Sequence, residues 1–266
     1  MGTQIFGYSS FAEEMRRGKR HILSENSLNY LEELRSYIEK NKVEFIGDEF
    51  KFYRAQIGCA NGTDVRDFIN ASVFGTGAGP APHRPQRMVP RSEHARDGRL
   101  NCHGAPVLYV ADDAITAAME TRPFLTDVIT VSEMISLKRL KIADLLVDLE
   151  KSPVRGVDFQ TGELQEFLAW FELAADCCSP VRPNEERSQY TPTQVIAEFL
   201  SESGFSGIRY GSAMRPGGIN YAIFSTEDLK IVNSVVCRSI FKDIELTEIP
   251  SGDESISMIT DMLSQD

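Results

Sequence analysis

A chain of 266 residues, 42% of them hydrophobic, is long enough to bury a sizeable core, as one large domain or as a domain with a small appendage. Its 28 basic against 39 acidic residues leave a net charge of -11, which argues against a general nucleic-acid binder or a protein that coats anionic membranes. A phosphate-bearing ligand would have to be caught by particular arginines.

No apolar run approaches the roughly 18 residues of a membrane span, and the N-terminus lacks a signal peptide's apolar core, so the expectation is a soluble, cytoplasmic protein. The 5 cysteines, Cys59, Cys102, Cys177, Cys178 and Cys237, show no CxxC spacing, and their odd number fits reduced thiols better than a disulfide framework. Cys102 and His103 are adjacent, but without a second ligand cluster they read as an incidental loop pair and no metal is expected.

Leu28, Leu31, Leu34 and Ile38 recur at helical spacing within residues 27 to 40, with Glu and Lys opposite, which predicts an amphipathic helix packing on the main domain. Residues 1 to 47 are therefore assigned as an N-terminal helical segment. Lys51 to Ile57 alternates as a strand and carries Tyr53 and Arg54. Residues 58 to 106 are rich in Gly and Pro and hold Arg84, Arg87, Arg91, Arg96 and Arg99, a loop that either folds over an anion or carries solvated arginines. Within it Gly75-Thr76-Gly77-Ala78-Gly79 lacks a following Gly-Lys-Ser/Thr and precedes Pro80, so neither a P-loop nor a dinucleotide fingerprint is supported.

Val107 to Ala111 is a short buried strand. Asp112 or Asp113 then caps a helix that carries Glu120 about two turns on, and Pro123 stops it. Strands are predicted at Val128 to Val131 and Leu140 to Leu149, with a polar break over Ser132 to Lys138. A helix over Glu163 to Ala175 shows Leu164, Phe167, Leu168 and Phe171 on one face, with Trp170 in the packing.

Cys177 to Ser188 reads as a loop, Thr193 to Ser203 as a helix, and Ile208 to Tyr210 as a strand entered through Gly204 and Gly207. Gly217-Gly218 turns into a strand over Asn220 to Phe224, and a last strand lies near Leu229 to Val232. A catalytic domain is thus placed at 48 to 245 and an acidic tail at 246 to 266. The pattern is an α+β fold in which a split mixed sheet encloses a cleft.

Arg99, Tyr109 and Glu120 fall close enough in sequence to line one pocket. An arginine, an aromatic ring and a carboxylate suit a nucleotide with phosphates, a flat base and a ribose to be activated.

A more specific pattern runs through Tyr53-Arg54, Gly98-Arg99-Leu100-Asn101, Leu108-Tyr109-Val110-Ala111 with Glu120-Thr121-Arg122-Pro123, Tyr190-Thr191-Pro192-Thr193-Gln194, and Gly204-Phe205-Ser206-Gly207-Ile208-Arg209-Tyr210 with Gly217-Gly218 and Asn220 to Phe224. In this order and spacing it resembles a RES domain over roughly residues 50 to 235. The resemblance implies a fold similar to the diphtheria-toxin-like ADP-ribosyltransferases, with the N-terminal helices as an appendage. It also implies a toxin of a toxin-antitoxin pair that depletes NAD+ by cleaving the nicotinamide–ribose bond with water or phosphate. Protein mono-ADP-ribosylation is the alternative activity, and a non-enzymatic nucleotide-binding module the third.

NAD+ would then be a substrate and no cofactor is expected. The implied partners are a cognate antitoxin and, under the alternative activity, a protein that accepts ADP-ribose, with no nucleic acid and no membrane.

The family's arginine matches Arg54, with Arg99 as a second, and its glutamate matches Glu120. Thr191 is the counterpart of the serine, with Ser212 as the alternative and Thr193 a further hydroxyl in the same motif. The resemblance also places Tyr109 in the catalytic group, and Asn101, Gln194 and Ser212 with Arg99 among residues that bind substrate. Cys102 stands where the family commonly has proline.

Overall fold

The computed structural model describes residues 7–18, 20, 22–60, 80–147, 162–179 and 187–239. Two helices open it, α1 over Tyr8–Arg16 and α2 over Glu25–Asn41. Ser24 caps α2, its side chain accepting from Ser27 N at 3.2 Å, and Tyr30, Leu31, Leu34 and Ile38 are buried along one stripe. Leu28, expected on that stripe, is 48% exposed, and α1 is a helix the periodicity of residues 27 to 40 gave no notice of.

β1 covers Val43–Ile46, β2 Lys51–Ile57, and β3 Leu108–Ala111, with the short α3 at Pro85–Met88 and a 3-10 turn at Ser92–His94 between β2 and β3. α4 runs over Ala114–Glu120, capped by Asp113, whose Oδ1 accepts from Ile115 N at 2.9 Å and Thr116 N at 3.0 Å. β4 is Val128–Ser136 and β5 Leu140–Asp144, followed by α5 at Gly162–Cys178, a 3-10 turn at Arg187–Tyr190 and α6 at Thr191–Glu202. β6 at Gly207–Gly211, β7 at Ile219–Ile223 and β8 at Leu229–Arg238 complete the described elements.

The strands form one mixed sheet of 8 in the order β1-β5-β6-β7-β3-β2-β4-β8, in which only β5 and β6 are parallel. That parallel pair is the one joined through α5 and α6, as a parallel connection requires a long crossover. β3 pairs with β7 over four residues and β2 with β4 over seven, whereas β2 and β3 meet only at Tyr53 and Ala111. The sheet is therefore two ladders joined at one residue pair, and α4 packs across that seam against β2, β3, β4 and β7.

On one face α1, α2, α5 and α6 share a core with the sheet through Met15, Leu34, Trp170, Ile196, Ile208 and Ala222. On the other, Phe52, Leu108, Val110, Met134, Ile142 and Ile223 form a second cluster. The N-terminal helices thus lie in the same core as α5 and α6, and β1 joins the sheet edge beside β5.

Several expectations are corrected, among them the strand expected over Leu140 to Leu149, which ends at Asp144. The break expected over Ser132 to Lys138 is confined to residues 137 to 139: β4 is continuous to Ser136 because its polar side chains find partners, Ser132 Oγ with Ser234 Oγ at 2.7 Å and Ser136 Oγ with the Gly47 carbonyl at 2.7 Å. The buried face of α5 is Trp170, Leu173, Ala174 and Cys177, while Leu168 and Phe171 are 47% and 43% exposed. Both stripes satisfy helical spacing, so only the contacts with α1 and β6 decide between them. The strand near Leu229 also runs on to Arg238, paired along β4. The acidic tail, the Gly75 to Gly79 loop and the side chain of Leu164 lie outside the described residues.

Candidate active site

Where the two ladders part, a cleft of about 220 Å³ is lined by Tyr53 and Arg54 of β2, Tyr109 of β3, Ala117 and Glu120 of α4, Tyr210 of β6, Asn220 of β7, and Arg99. Glu120 is the last residue of α4. Arg122 at φ 51 turns the chain out of the helix immediately afterwards, so the carboxylate sits at a fixed end.

Its two oxygens are treated differently. Oε1 accepts from Ser212 Oγ at 2.7 Å and from Asn220 Nδ2 at 2.6 Å. Among the described residues, Oε2 has only the Arg99 Nη2 at 3.4 Å. The Ser212 hydroxyl is itself oriented, because its oxygen accepts from the backbone N–H groups of Met214 and Arg215, each at 3.1 Å, leaving its proton for Glu120. One carboxylate oxygen is thus saturated by the protein and the other faces the cleft with a single long contact.

Arg99 is held on three sides. Its Nη1 donates to the Cys178 carbonyl at the C-terminal end of α5, where the helix leaves carbonyls unpaired and favours a cation. Its guanidinium lies 5.6 Å from the centre of the Tyr210 ring, and it pairs with Glu120. Burial pulls the Arg99 pKa down, but the facing Tyr210, Glu120 and Tyr109 outweigh that and the net shift is upward, so the charge is secure.

Arg54 lies deeper along the seam. Its Nη1 donates to the Tyr109 carbonyl at 2.9 Å across the gap between β2 and β3, while Nε is buried with no partner among the described residues. Burial lowers its pKa to about 10. Arg54 lines the cleft, and a guanidinium there suits an incoming anion.

Tyr109 is raised to about 12, chiefly by burial, and its hydroxyl is fully engaged: it donates to Asn101 Oδ1 at 2.8 Å and accepts from Leu100 N at 3.0 Å. What it can offer a ligand is its ring. Asn101 is buried and donates to the carbonyls of Arg96, Cys102 and Ala105, so its amide is spent on shaping the loop. Gln194 does the same from α6, donating to the carbonyls of Gly98 at 2.8 Å and Asn101 at 2.9 Å. Thr193 Oγ1 donates to the Arg99 carbonyl at 2.5 Å.

The structure thus gathers Arg54, Arg99, Tyr109 and Glu120 around one cleft, joins Ser212 to it through Glu120, and puts Asn101, Thr193 and Gln194 behind the Arg99 loop. Thr191 opens α6 and does not line the cleft. Arg84, Arg87, Arg91 and Arg96 are exposed and do not line it either. Two contributors were not singled out from the sequence, Asn220 and Tyr210. The available signal for Asn220 was a lone amide opening the apolar strand Asn-Tyr-Ala-Ile, where a buried polar side chain needs a partner.

The RES domain model matches residues 66–239. The chain belongs to the RES domain family. The RES match begins after β2, so Arg54 and the N-terminal helices precede it. Comparison with curated proteins gives no match. Among solved structures, this RES protein is similar to a chain of the M. tuberculosis MbcT-MbcA toxin-antitoxin complex, at 15% identity and a TM-score of 0.39, over 75% of this chain and 89% of that one.

Proposed function

We propose that this protein cleaves the bond between nicotinamide and ribose in NAD+, and that it does so as the toxin of a toxin-antitoxin pair. The observation that carries the chemistry is the uneven Glu120 carboxylate, with Oε1 saturated by Ser212 and Asn220 and Oε2 open beside Arg99. As the C1′–N bond breaks, its electron pair moves to the nicotinamide nitrogen, which becomes neutral, and positive charge develops on the ribose. A fixed carboxylate oxygen aimed at that charge stabilises it without reorganising. Water or phosphate then bonds to C1′, and water gives up a proton as it does so.

In this proposal Arg54 and Arg99 clamp the pyrophosphate, Tyr109 offers its ring to the nicotinamide, and Ser212, by its bond to Glu120, takes the part of the family's serine in preference to Thr191. Asn101, Thr193 and Gln194 act by holding the Arg99 loop. The family resemblance supports a fold of the diphtheria-toxin-like ADP-ribosyltransferase kind, a catalytic domain over 48 to 245, and an antitoxin as partner.

The test is incubation of NAD+ with purified protein, with and without phosphate and a bacterial lysate, and identification of products by mass spectrometry. Nicotinamide with ADP-ribose or its 1″-phosphate is expected, and Glu120→Gln should lower the rate roughly 10²-fold or more at unchanged melting temperature. Label found on protein would make it an ADP-ribosyltransferase. NAD+ that binds in calorimetry and is never turned over would reduce the protein to a nucleotide-binding module.

A further inference from the structure

Arg99 hangs on two supports, the C-terminal carbonyl of α5 and the loop held by α6, and the N-terminal residues of the chain fasten both. In the last turn of α5, two residues before Cys178, Asp176 Oδ2 accepts from Tyr8 Oη at 2.6 Å and from Arg16 Nη2 at 2.6 Å. On α6, Gln194 Oε1 accepts from Arg20 Nη1 at 3.2 Å, and Arg20 Nη2 pairs with Glu198 at 2.7 Å. The other end of the Gln194 amide is the one that holds the Gly98 and Asn101 carbonyls on either side of Arg99.

Tyr8 and Met15 are buried in the core beside Trp170, Leu173 and Ile196, so α1 is a fixed body from which these contacts can act. The Arg20–Gln194–loop chain and the Asp176–Cys178 chain share no residue and converge on one guanidinium. None of the three N-terminal residues lies within the stretch that matches the RES model.

We infer that Tyr8, Arg16 and Arg20 are positioning residues for Arg99, so that nucleotide affinity in the cleft depends on a segment outside the family domain. They touch no ligand. Their effect is on where the Arg99 guanidinium stands when a pyrophosphate arrives, and a misplaced clamp weakens binding before it weakens bond cleavage. The inference rests on the proposed NAD+ chemistry only for its kinetic consequence.

Arg20→Gln and Asp176→Asn test the two supports separately, with Arg20→Lys as the conservative variant and Arg17→Ala, whose side chain is exposed and pairs with Glu13, as the control. The first readout is hydrogen exchange at Gly98 N, bonded to the Asn101 carbonyl at 2.9 Å, and Leu100 N, bonded to Tyr109 Oη. Exchange there should quicken about tenfold in Arg20→Gln and Asp176→Asn, less in Arg20→Lys, and stay unchanged in Arg17→Ala. The second readout is nicotinamide release, where KM should rise roughly 3- to 10-fold with kcat within about twofold.

Unchanged exchange at Gly98 and Leu100 in both variants would overturn the inference, as would a fall in kcat with KM unmoved. A wild-type protein that releases no nicotinamide would sink the functional proposal alone, since the exchange measurement decides the coupling without turnover.

Discussion

Glu120 lies within reach of one hydroxyl the sequence offered and out of reach of another. Ser212 donates to it at 2.7 Å, while Thr191 stands at the start of α6 away from the cleft. Removing the Ser212 hydroxyl frees Oε1 of one donor and leaves the N–H groups of Met214 and Arg215 without their acceptor. Ser212→Ala is therefore expected to lower nicotinamide release by roughly 10- to 10²-fold, and Thr191→Val by less than about twofold, in parallel rate measurements. Equal losses in the two variants would return the assignment to the Tyr-Thr-Pro-Thr-Gln motif. Arg54 makes a second prediction with its sign set by burial. Because its pKa falls to about 10, its charge is lost as pH climbs through that value, and nucleotide affinity measured by calorimetry should fall with it. Stability moves the other way. Above about 10 the unfolded chain still holds a proton the folded chain has given up, so this group's contribution to stability grows with pH. Arg54→Met should lose nucleotide binding, and because it also removes the Nη1 bond to the Tyr109 carbonyl, it should loosen the seam as well.

At the scale of elements, the Arg99 loop is the piece most tightly specified. A Cβ on Gly98 would stand 2.5 Å from Asn101 Oδ1 and 2.8 Å from Tyr109 Oη, and neither atom can withdraw, because Asn101 donates to three carbonyls and Tyr109 is part of β3. Gly98→Ala should cost about 1–3 kcal/mol in denaturant unfolding and weaken nucleotide binding, by displacing the loop that carries Arg99. Elements of this kind were legible in the sequence where local chemistry alone decides them. Lys51 to Ile57 alternates and is β2, Leu108 to Ala111 is apolar and is β3, and Asp113 caps α4 with its own side chain. Reading failed where distant contacts choose between equal local options. Leu168 and Phe171 make as good a stripe on α5 as Trp170 and Leu173, and Ser132 looks like a strand breaker until Ser234 is set opposite it. For the cleft, Arg99, Tyr109 and Glu120 stood out as residue types, and Arg54 through the family resemblance. That Asn220 completes the Glu120 contacts depends on β7 lying beside β3 and β6, a pairing no local pattern encodes.

For the whole molecule the decisive feature is the seam. β1, β5, β6, β7 and β3 form one ladder and β2, β4 and β8 another, and the sheet joins them through Tyr53 and Ala111 alone. The backbone there is bound across the gap mainly by a side chain, Arg54 to the Tyr109 carbonyl, and α4 covers both ladders. A junction with so few ladder hydrogen bonds opens at lower free energy than either ladder's interior, so the amides of Tyr53, Ala55 and Ala111, which face across the seam, should exchange faster than those within β4 or β7. A dinucleotide clamped by Arg54 of β2 and by Arg99, on the loop that leads into β3, would tie the two ladders together. Saturating NAD+ or ADP-ribose should accordingly slow exchange at the seam more than elsewhere and raise the melting temperature with ligand concentration, about 2.7 kcal/mol of stabilisation at a hundredfold excess over Kd. Exchange-coupled mass spectrometry on the free and nucleotide-bound protein measures the first, and thermal unfolding with increasing nucleotide the second. Protection confined to the outer strand β8, with the seam unmoved, would place the nucleotide outside the cleft and remove Arg54 from its recognition.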